Sequence, residues 1–249
     1  VSPFILPPLC ALCTDICVSP TDGICDDGGP GSVYTDCAWG TDCTDCGVRC
    51  PAPPPTPPAL LAFDTTVPTG SLSMDYKFYG AAVVGNMVVF APNNANAVGV
   101  YETIAGTFDH SVSTGGLSVS TGSQFQGATA VGNIVIFAPN NADDVGVYDA
   151  MAGTFDSVST GSLITDHKFN GAAAVGNVVV FAPFNADVVG IFDVARRTFH
   201  TPVSAVGVDR KFDGAVAVGN IVVFVPFDAD VVGVYDVMTN TFDDSVSTG

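Results

Sequence analysis

The residues able to do chemistry cluster near the start of the chain. Eight cysteines, Cys10, Cys13, Cys17, Cys25, Cys37, Cys43, Cys46 and Cys50, fall within the first 50 of 249 positions, and no cysteine follows. An even count in so short a segment, with little apolar material for a core, predicts a small extracellular module held by disulfides. Spacing alone does not choose among the pairings, which number on the order of a hundred. Zinc is the rival, since Cys10-x-x-Cys13 and Cys43-x-x-Cys46 have the spacing of ligand pairs; eight thiols and no histidine would then require two all-thiolate sites. Acids run between the cysteines in Asp22-Gly23-Ile24-Cys25-Asp26-Asp27-Gly28-Gly29-Pro30-Gly31 and Gly40-Thr41-Asp42-Cys43-Thr44-Asp45-Cys46-Gly47. Carboxylates on glycine-rich loops suit a hard cation, because Ca2+ takes about six to eight oxygens that short turns can bring together. Asp22, Asp26, Asp27, Asp42 and Asp45 are the candidate ligands, and no other cofactor is called for. The competing reading is that Asp and Gly simply make the tight turns of a disulfide module.

These two runs, with Tyr34 and Cys37 between them, resemble a cysteine-rich module of extracellular proteins of algae and other protists. More loosely they resemble the calcium-binding Lin-12/Notch repeat. After this module (1–50) comes a proline segment (51–60), which includes Pro51-Ala52-Pro53-Pro54-Pro55-Thr56-Pro57-Pro58. It predicts a polyproline II spacer of about 25 Å at roughly 3.1 Å per residue. The segment resembles hydroxyproline-rich spacers of algal and plant wall and flagellar-surface glycoproteins. That resemblance implies O-linked glycans at Pro53, Pro54, Pro55, Thr56, Pro57 and Pro58, although a bare spacer fits the residues equally well. No Asn-x-Ser/Thr sequon occurs.

The remainder is poor in reactive groups. His110, His167 and His200 fall in outer turns or linkers without metal-ligand spacing, and Glu102 is the only glutamate. There is no Gly-x-Ser-x-Gly, HExxH, P-loop or GxGxxG motif, so no enzyme is expected. Twenty-five acids against seven bases give a net charge of −18, which repels phosphate backbones and anionic lipid and argues against nucleic acid as a partner. The longest apolar runs, such as Ile221 to Pro226, have strand length, so no membrane insertion is expected. With Val at position 1, any signal peptide is taken to have been removed or to lie outside this sequence.

What organises residues 61–249 is repetition. A Phe-x-Gly start recurs at Phe78/Gly80, Phe125/Gly127, Phe169/Gly171 and Phe212/Gly214, at intervals of 47, 44 and 43 residues. Each copy continues through Gly-Asn (85/86, 132/133, 176/177, 219/220), an apolar run ending in Pro, an Asn/Asp-Ala-Asn/Asp turn, Val-Gly-Val-Tyr-Asp or a near copy, and Thr-Phe. Four short β-runs fit in about 44 residues, the length of a four-stranded propeller blade. Gly-Asn predicts a two-residue hairpin with both residues at positive φ. The small Gly-Ala-Ala starts suit a crowded strand at a central axis. The recurring aromatics are expected to form core between blades.

The pattern resembles the kelch class of propeller repeats, and more particularly kelch-like arrays of algae. It departs from that class in having Ala-Pro or Val-Pro where a double glycine is usual, and Phe where Trp often closes the unit. Ala62-Phe63-Asp64 repeats the closing strand, so the array has one extra outer strand beyond its four repeats. Either more blades follow Gly249 in the intact product, or the surplus strand pairs with a neighbouring molecule, or a four-blade ring leaves it aside. The expected fold is therefore all-β, with tandem four-stranded blades after a small disulfide-rich module.

The expected function is an extracellular structural glycoprotein, a self-assembling subunit of a surface filament, appendage or wall fibre. The alternative is a secreted propeller lectin or adhesin.

Overall fold

The computed structural model describes residues 14–19, 21–27, 32–38, 41–47, 67–115, 117 and 122–249. Cys10, Cys13, Cys50, the spacer 51–60 with its glycosylation candidates, and the extra outer strand at 62–64 lie outside these. The chain divides into two compact units, Val1–Asp64 and Thr65–Gly249.

The second unit is all-β, with four sheets of four antiparallel strands in chain order. Blade 1 holds β1 (Phe78–Val84), β2 (Met87–Pro92), β3 (Gly99–Glu102) and β4 (Thr107–Asp109). Blade 2 holds β5 (Phe125–Val131), β6 (Ile134–Pro139), β7 (Asp144–Asp149) and β8 (Thr154–Ser159). Blade 3 holds β9 (Phe169–Val175), β10 (Val178–Pro183), β11 (Gly190–Asp193) and β12 (Thr198–His200). Blade 4 holds β13 (Phe212–Val218), β14 (Ile221–Pro226), β15 (Val231–Asp236) and β16 (Thr241–Ser247). The first hairpin of each blade turns with only its glycine at positive φ, +57° to +61°; the asparagine after it is not in that region. That asparagine instead offers its carbonyl to the N–H of Thr103, Ala150, Val194 or Val237, tying the turn to the end of the third strand.

Two glycine positions explain the packing. At the axis, a Cβ on Gly80, Gly127 or Gly171 would stand 2.6 to 2.7 Å from the α-carbon of the equivalent glycine in the next blade. The inner strands thus cross backbone on backbone, and only glycine fits. Within each blade, the glycine of the third strand (Gly99, Gly146, Gly190, Gly233) lies under the ring of the blade's first Phe, 2.6 to 2.8 Å from where its Cβ would be. The space it leaves is filled by three phenylalanines, as in Phe125, Phe137 and Phe155, with centroids 5.6 to 6.4 Å apart.

The aromatic faces of blades 2 to 4 are each covered by the preceding blade. Val89, Ala91 and Val98 of blade 1 pack on Phe125, Val135 and Phe137 of blade 2. Ile136, Ala138 and Val147 of blade 2 meet Phe169, Val179 and Phe181 of blade 3. Ala173, Val180 and Ala182 of blade 3 meet Phe212, Val222 and Phe224 of blade 4. β1 packs on β5, β5 on β9 and β9 on β13, but no comparable packing joins β13 to β1. The four blades form an open arc, which removes the four-blade ring from the alternatives.

Among the described residues of the first unit, one short helix, α1 (Cys43–Cys46), follows an antiparallel bridge between Asp15 and Asp42. Disulfides join Cys17 to Cys37 and Cys25 to Cys46, and Cys43 is also disulfide-bonded. The Cys43-x-x-Cys46 pair is therefore not a zinc ligand pair. The disulfides, with no helix among the described residues long and apolar enough to cross a membrane, are compatible with a secreted protein.

Candidate functional site

In the module, Asp26, Asp27 and Asp42 are buried, Asp42 completely. Oδ2 of Asp42 accepts the Asp26 N–H at 2.9 Å. Oδ1 of Asp26 and Oδ1 of Asp42 are buried and have no hydrogen-bond partner among the described residues. Two desolvated carboxylate oxygens without donors are costly unless a cation or a proton balances them. Burial, and then the charges of Asp22, Asp42, Asp36 and Asp45, push the Asp26 carboxyl above the usual carboxylate range. A cavity of about 260 Å3 opens beside Asp26, between Asp36 and the Cys17–Cys37 bridge.

The other candidates are placed differently. Asp22 accepts the Ile24 N–H at 3.0 Å and Asp45 accepts the Gly23 N–H at 2.9 Å, so both shape the loop. A carboxylate oxygen of Asp27 lies within 4.8 Å of both sulfurs of the Cys25–Cys46 bridge, which have no ligand capacity left. Among the described residues, no three carboxylates bring ligand atoms within that distance of one another. Asp15 and Asp36 were not singled out by sequence. Asp15 holds the Thr44 N–H and hydroxyl at 2.8 and 2.9 Å, and Asp36 borders the cavity. Both are aspartates like the residues singled out, but their places depend on the disulfide pairing.

In the array, the polar groups are concentrated at the blade junctions, where the same connections recur three times. The N–H of Gln124, Lys168 and Lys211 donates to the carbonyl of Asn93, Asn140 and Phe184 in the preceding blade, at 2.8 to 3.0 Å. The residue before each, Ser123, His167 or Arg210, has φ near +54° and donates its N–H to the side chain of Asn94, Asn141 or Asn185. Lys168 and Lys211 are fully buried, each with its Nζ 3.5 Å from a carboxylate of the blade before, Asp143 or Asp187. Burial holds both lysines below their ordinary range, and the paired aspartates oppose this. His167 is exposed, with Nδ1 at 2.9 Å from Asn140 Oδ1. His200 is exposed and reaches only Thr198 within its own strand. A second cavity, about 470 Å3, lies above blades 2 to 4, where Phe184 and Phe227 stand 5.7 Å apart beside Gln126, Asn170 and Asn185.

No family model matches the chain, and no curated protein matches it. Solved structures do match in fold. The chain is similar to hydrazine synthase of Kuenenia stuttgartiensis (TM-score 0.54, 11% identity, 70% of this chain and 50% of that one). It is also similar to the WD40 repeats of RRP9 (0.54, 10%, 68% and 51%) and to a chain of a nidogen/laminin complex (0.51, 12%, 68% and 62%). The chain thus spans only about half to three fifths of each neighbour. Tandem four-stranded β-propeller blades are the class that fold and likeness define. At these identities nothing further carries over, and since one neighbour is named as an enzyme, the fold alone does not decide catalysis.

Proposed function

We propose that this chain is an extracellular structural protein, a subunit that builds a surface filament, appendage or wall fibre by adding blade face to blade face. The observation that carries this reading is the open arc. Val216 and Val225 of blade 4 are 59% and 47% exposed, whereas Ala173 and Ala182 at the equivalent places in blade 3 are buried. At the other end, Phe78, Val88 and Phe90 are only half-buried, whereas Phe125, Val135 and Phe137 are buried. A surface that is core at three junctions calls for a partner at the fourth. We read the repeat as kelch-like and of algal type on its glycine-rich start, Tyr-Asp turn and closing Phe. The proline segment supplies a glycan-bearing spacer in this reading, and the inner strands, rich in Gly, Ala and Val, supply rigidity and not catalysis. Sedimentation velocity and negative-stain microscopy of the secreted chain test it. Rings or filaments are expected, and monomers at every concentration would overturn it.

The module of such a subunit takes a hard cation, Ca2+ first, at Asp26 and Asp42, on the strength of their two buried, partnerless oxygens. The lectin or adhesin reading draws on the cavity between Phe184 and Phe227, where rings and amides could stack on and hydrogen-bond a sugar. Monomers with a defined ligand on a glycan array would transfer the assignment to it.

A further inference from the structure

We infer that the partner of the open faces is a second copy of this chain, joined head to tail, with Asp230 of one copy paired to Lys77 of the next. The inference rests on the self-assembly reading above and gives it a register.

The argument is a match of partners across the repeat. One position in each blade, Asn96, Asp143, Asp187 or Asp230, follows the Asn/Asp-Ala turn, and at Asp143 and Asp187 its carboxylate reaches the next blade. Another, Lys77, Gln124, Lys168 or Lys211, stands just before the first Phe and faces back. Where the forward residue is the neutral Asn96, the backward residue is the neutral Gln124, which donates to the Ala95 carbonyl at 3.0 Å. Where the forward residue is Asp143 or Asp187, the backward one is Lys168 or Lys211, paired at 3.5 Å. Charge faces opposite charge, and the neutral residue accompanies a neutral one. The two ends left over are Asp230, exposed on blade 4, and Lys77, half-buried on blade 1, and these are the charged combination.

The rest of the junction is present at the two ends as well. Blade 4 offers the Phe227 carbonyl and the Asp228 carboxylate, which also holds Arg210 at 2.9 Å, where the blades before it use Phe184 and Asn185. Blade 1 offers the N–H of Lys77 and of Tyr76, the latter already at φ +51° like its counterparts. Axial room is open too: a Cβ on Gly214 would meet only Val225, at 3.4 Å, and not another glycine. Such a contact is heterologous, so it either closes a ring or continues as a filament. The net charge of −18 opposes association in general, which leaves a specific opposite-charge pair to fix partner and register.

The test uses the full chain, with assembly measured by sedimentation velocity across a concentration series. Lys77→Asp and Asp230→Lys each place like charges at every junction and are expected to weaken assembly about a hundredfold. Mixing the two variants in equal amounts restores it, because alternating copies set Lys opposite Asp at each junction. Circular dichroism checks that each variant keeps its sheet. Wild-type assembly that neither variant weakens, or a mixture no better than its parts, overturns the pairing and leaves the self-assembly reading standing. A wild-type chain that stays monomeric overturns both, as when blades of a longer polypeptide cover these faces.

Discussion

The two units bury charge in opposite ways. In the array, the fully buried lysines, Lys168 and Lys211, each receive a carboxylate and a backbone carbonyl from the blade before. In the module, the buried Asp26 and Asp42 each keep a carboxylate oxygen without a hydrogen-bond partner among the described residues. The array balances its interior from repeated parts, so whatever one blade lacks its neighbour supplies. The module has no second copy of itself to draw on, and none of its described residues is basic. The contrast teaches where to look for dependence on others. Inside the array nothing should be missing except at its two ends, whereas the module should respond to ions.

The largest effect tests how closed the array is. Gly127→Ala would put a methyl 2.6 Å from the Gly171 α-carbon, at a φ of +105° that already disfavours a side chain. Overpacking against backbone and local strain together should cost about 4 kcal/mol. Gly214→Ala has a similar φ, +116°, but no glycine across from it, so strain alone remains at about 2 kcal/mol. Chemical denaturation of both variants measures the difference. Equal losses would mean that the blade 4 face is as crowded as the inner ones.

Calcium tests the other half of the comparison. A ligand at a hundred times its dissociation constant stabilises the state it binds by about 3 kcal/mol. Calorimetry of the full chain should therefore show one transition rising with Ca2+ and falling with chelator, while the array transition stays in place. Asp26→Asn combined with Asp42→Asn should abolish the response. A wild-type profile indifferent to calcium and chelator would show that the two carboxylates are balanced by protons instead.

The blades were legible in the sequence and their joints were not. Phe-x-Gly, Gly-Asn and Thr-Phe recur at near-constant spacing, and a repeat must use each such residue the same way every time, so strand number and order could be read directly. Nothing local signals that Lys168 and Lys211 are buried, because their partners lie on another blade. Positive φ at Tyr76, Ser123, His167 and Arg210 has no residue-type signature at all. At the last three it accompanies an Asn side chain that receives the residue's N–H across the junction. In the module, the acids announced themselves, but which of them would be buried followed from the Cys17–Cys37 and Cys25–Cys46 bridges, which spacing does not determine.

A junction exchange comes next in size. Asp143→Asn leaves Lys168 buried without its counter-charge, and should cost about 2 kcal/mol. Asp187→Asn should cost less, because Asp187 is 83% exposed against 46% for Asp143 and its attraction is more screened. Adding Lys168→Gln to Asp143→Asn recreates the Asn96–Gln124 junction, so the double variant should recover to within about 1 kcal/mol of wild type. Failure to recover would mean that the neutral and charged joints are not interchangeable.

The smallest effect is a pH dependence confined to the charged joints. Burial lowers the Lys168 and Lys211 pKa values in the folded chain, so between those values and the ordinary lysine range the unfolded chain holds more protons. Stability from these two groups therefore rises with pH across that window. Tyr148 and Tyr235 work against it: burial raises their pKa, the folded chain keeps its protons longer, and stability falls above the ordinary tyrosine range. The two contributions separate in a Lys168→Gln, Lys211→Gln variant, which should lose the rise and keep the fall. Denaturation midpoints followed from pH 7 upward would show this, and a variant that still gained stability with pH would mean that the buried lysines are not its source. Because the Gln124 joint does not titrate, any rise belongs to the junctions of blades 2 with 3 and 3 with 4.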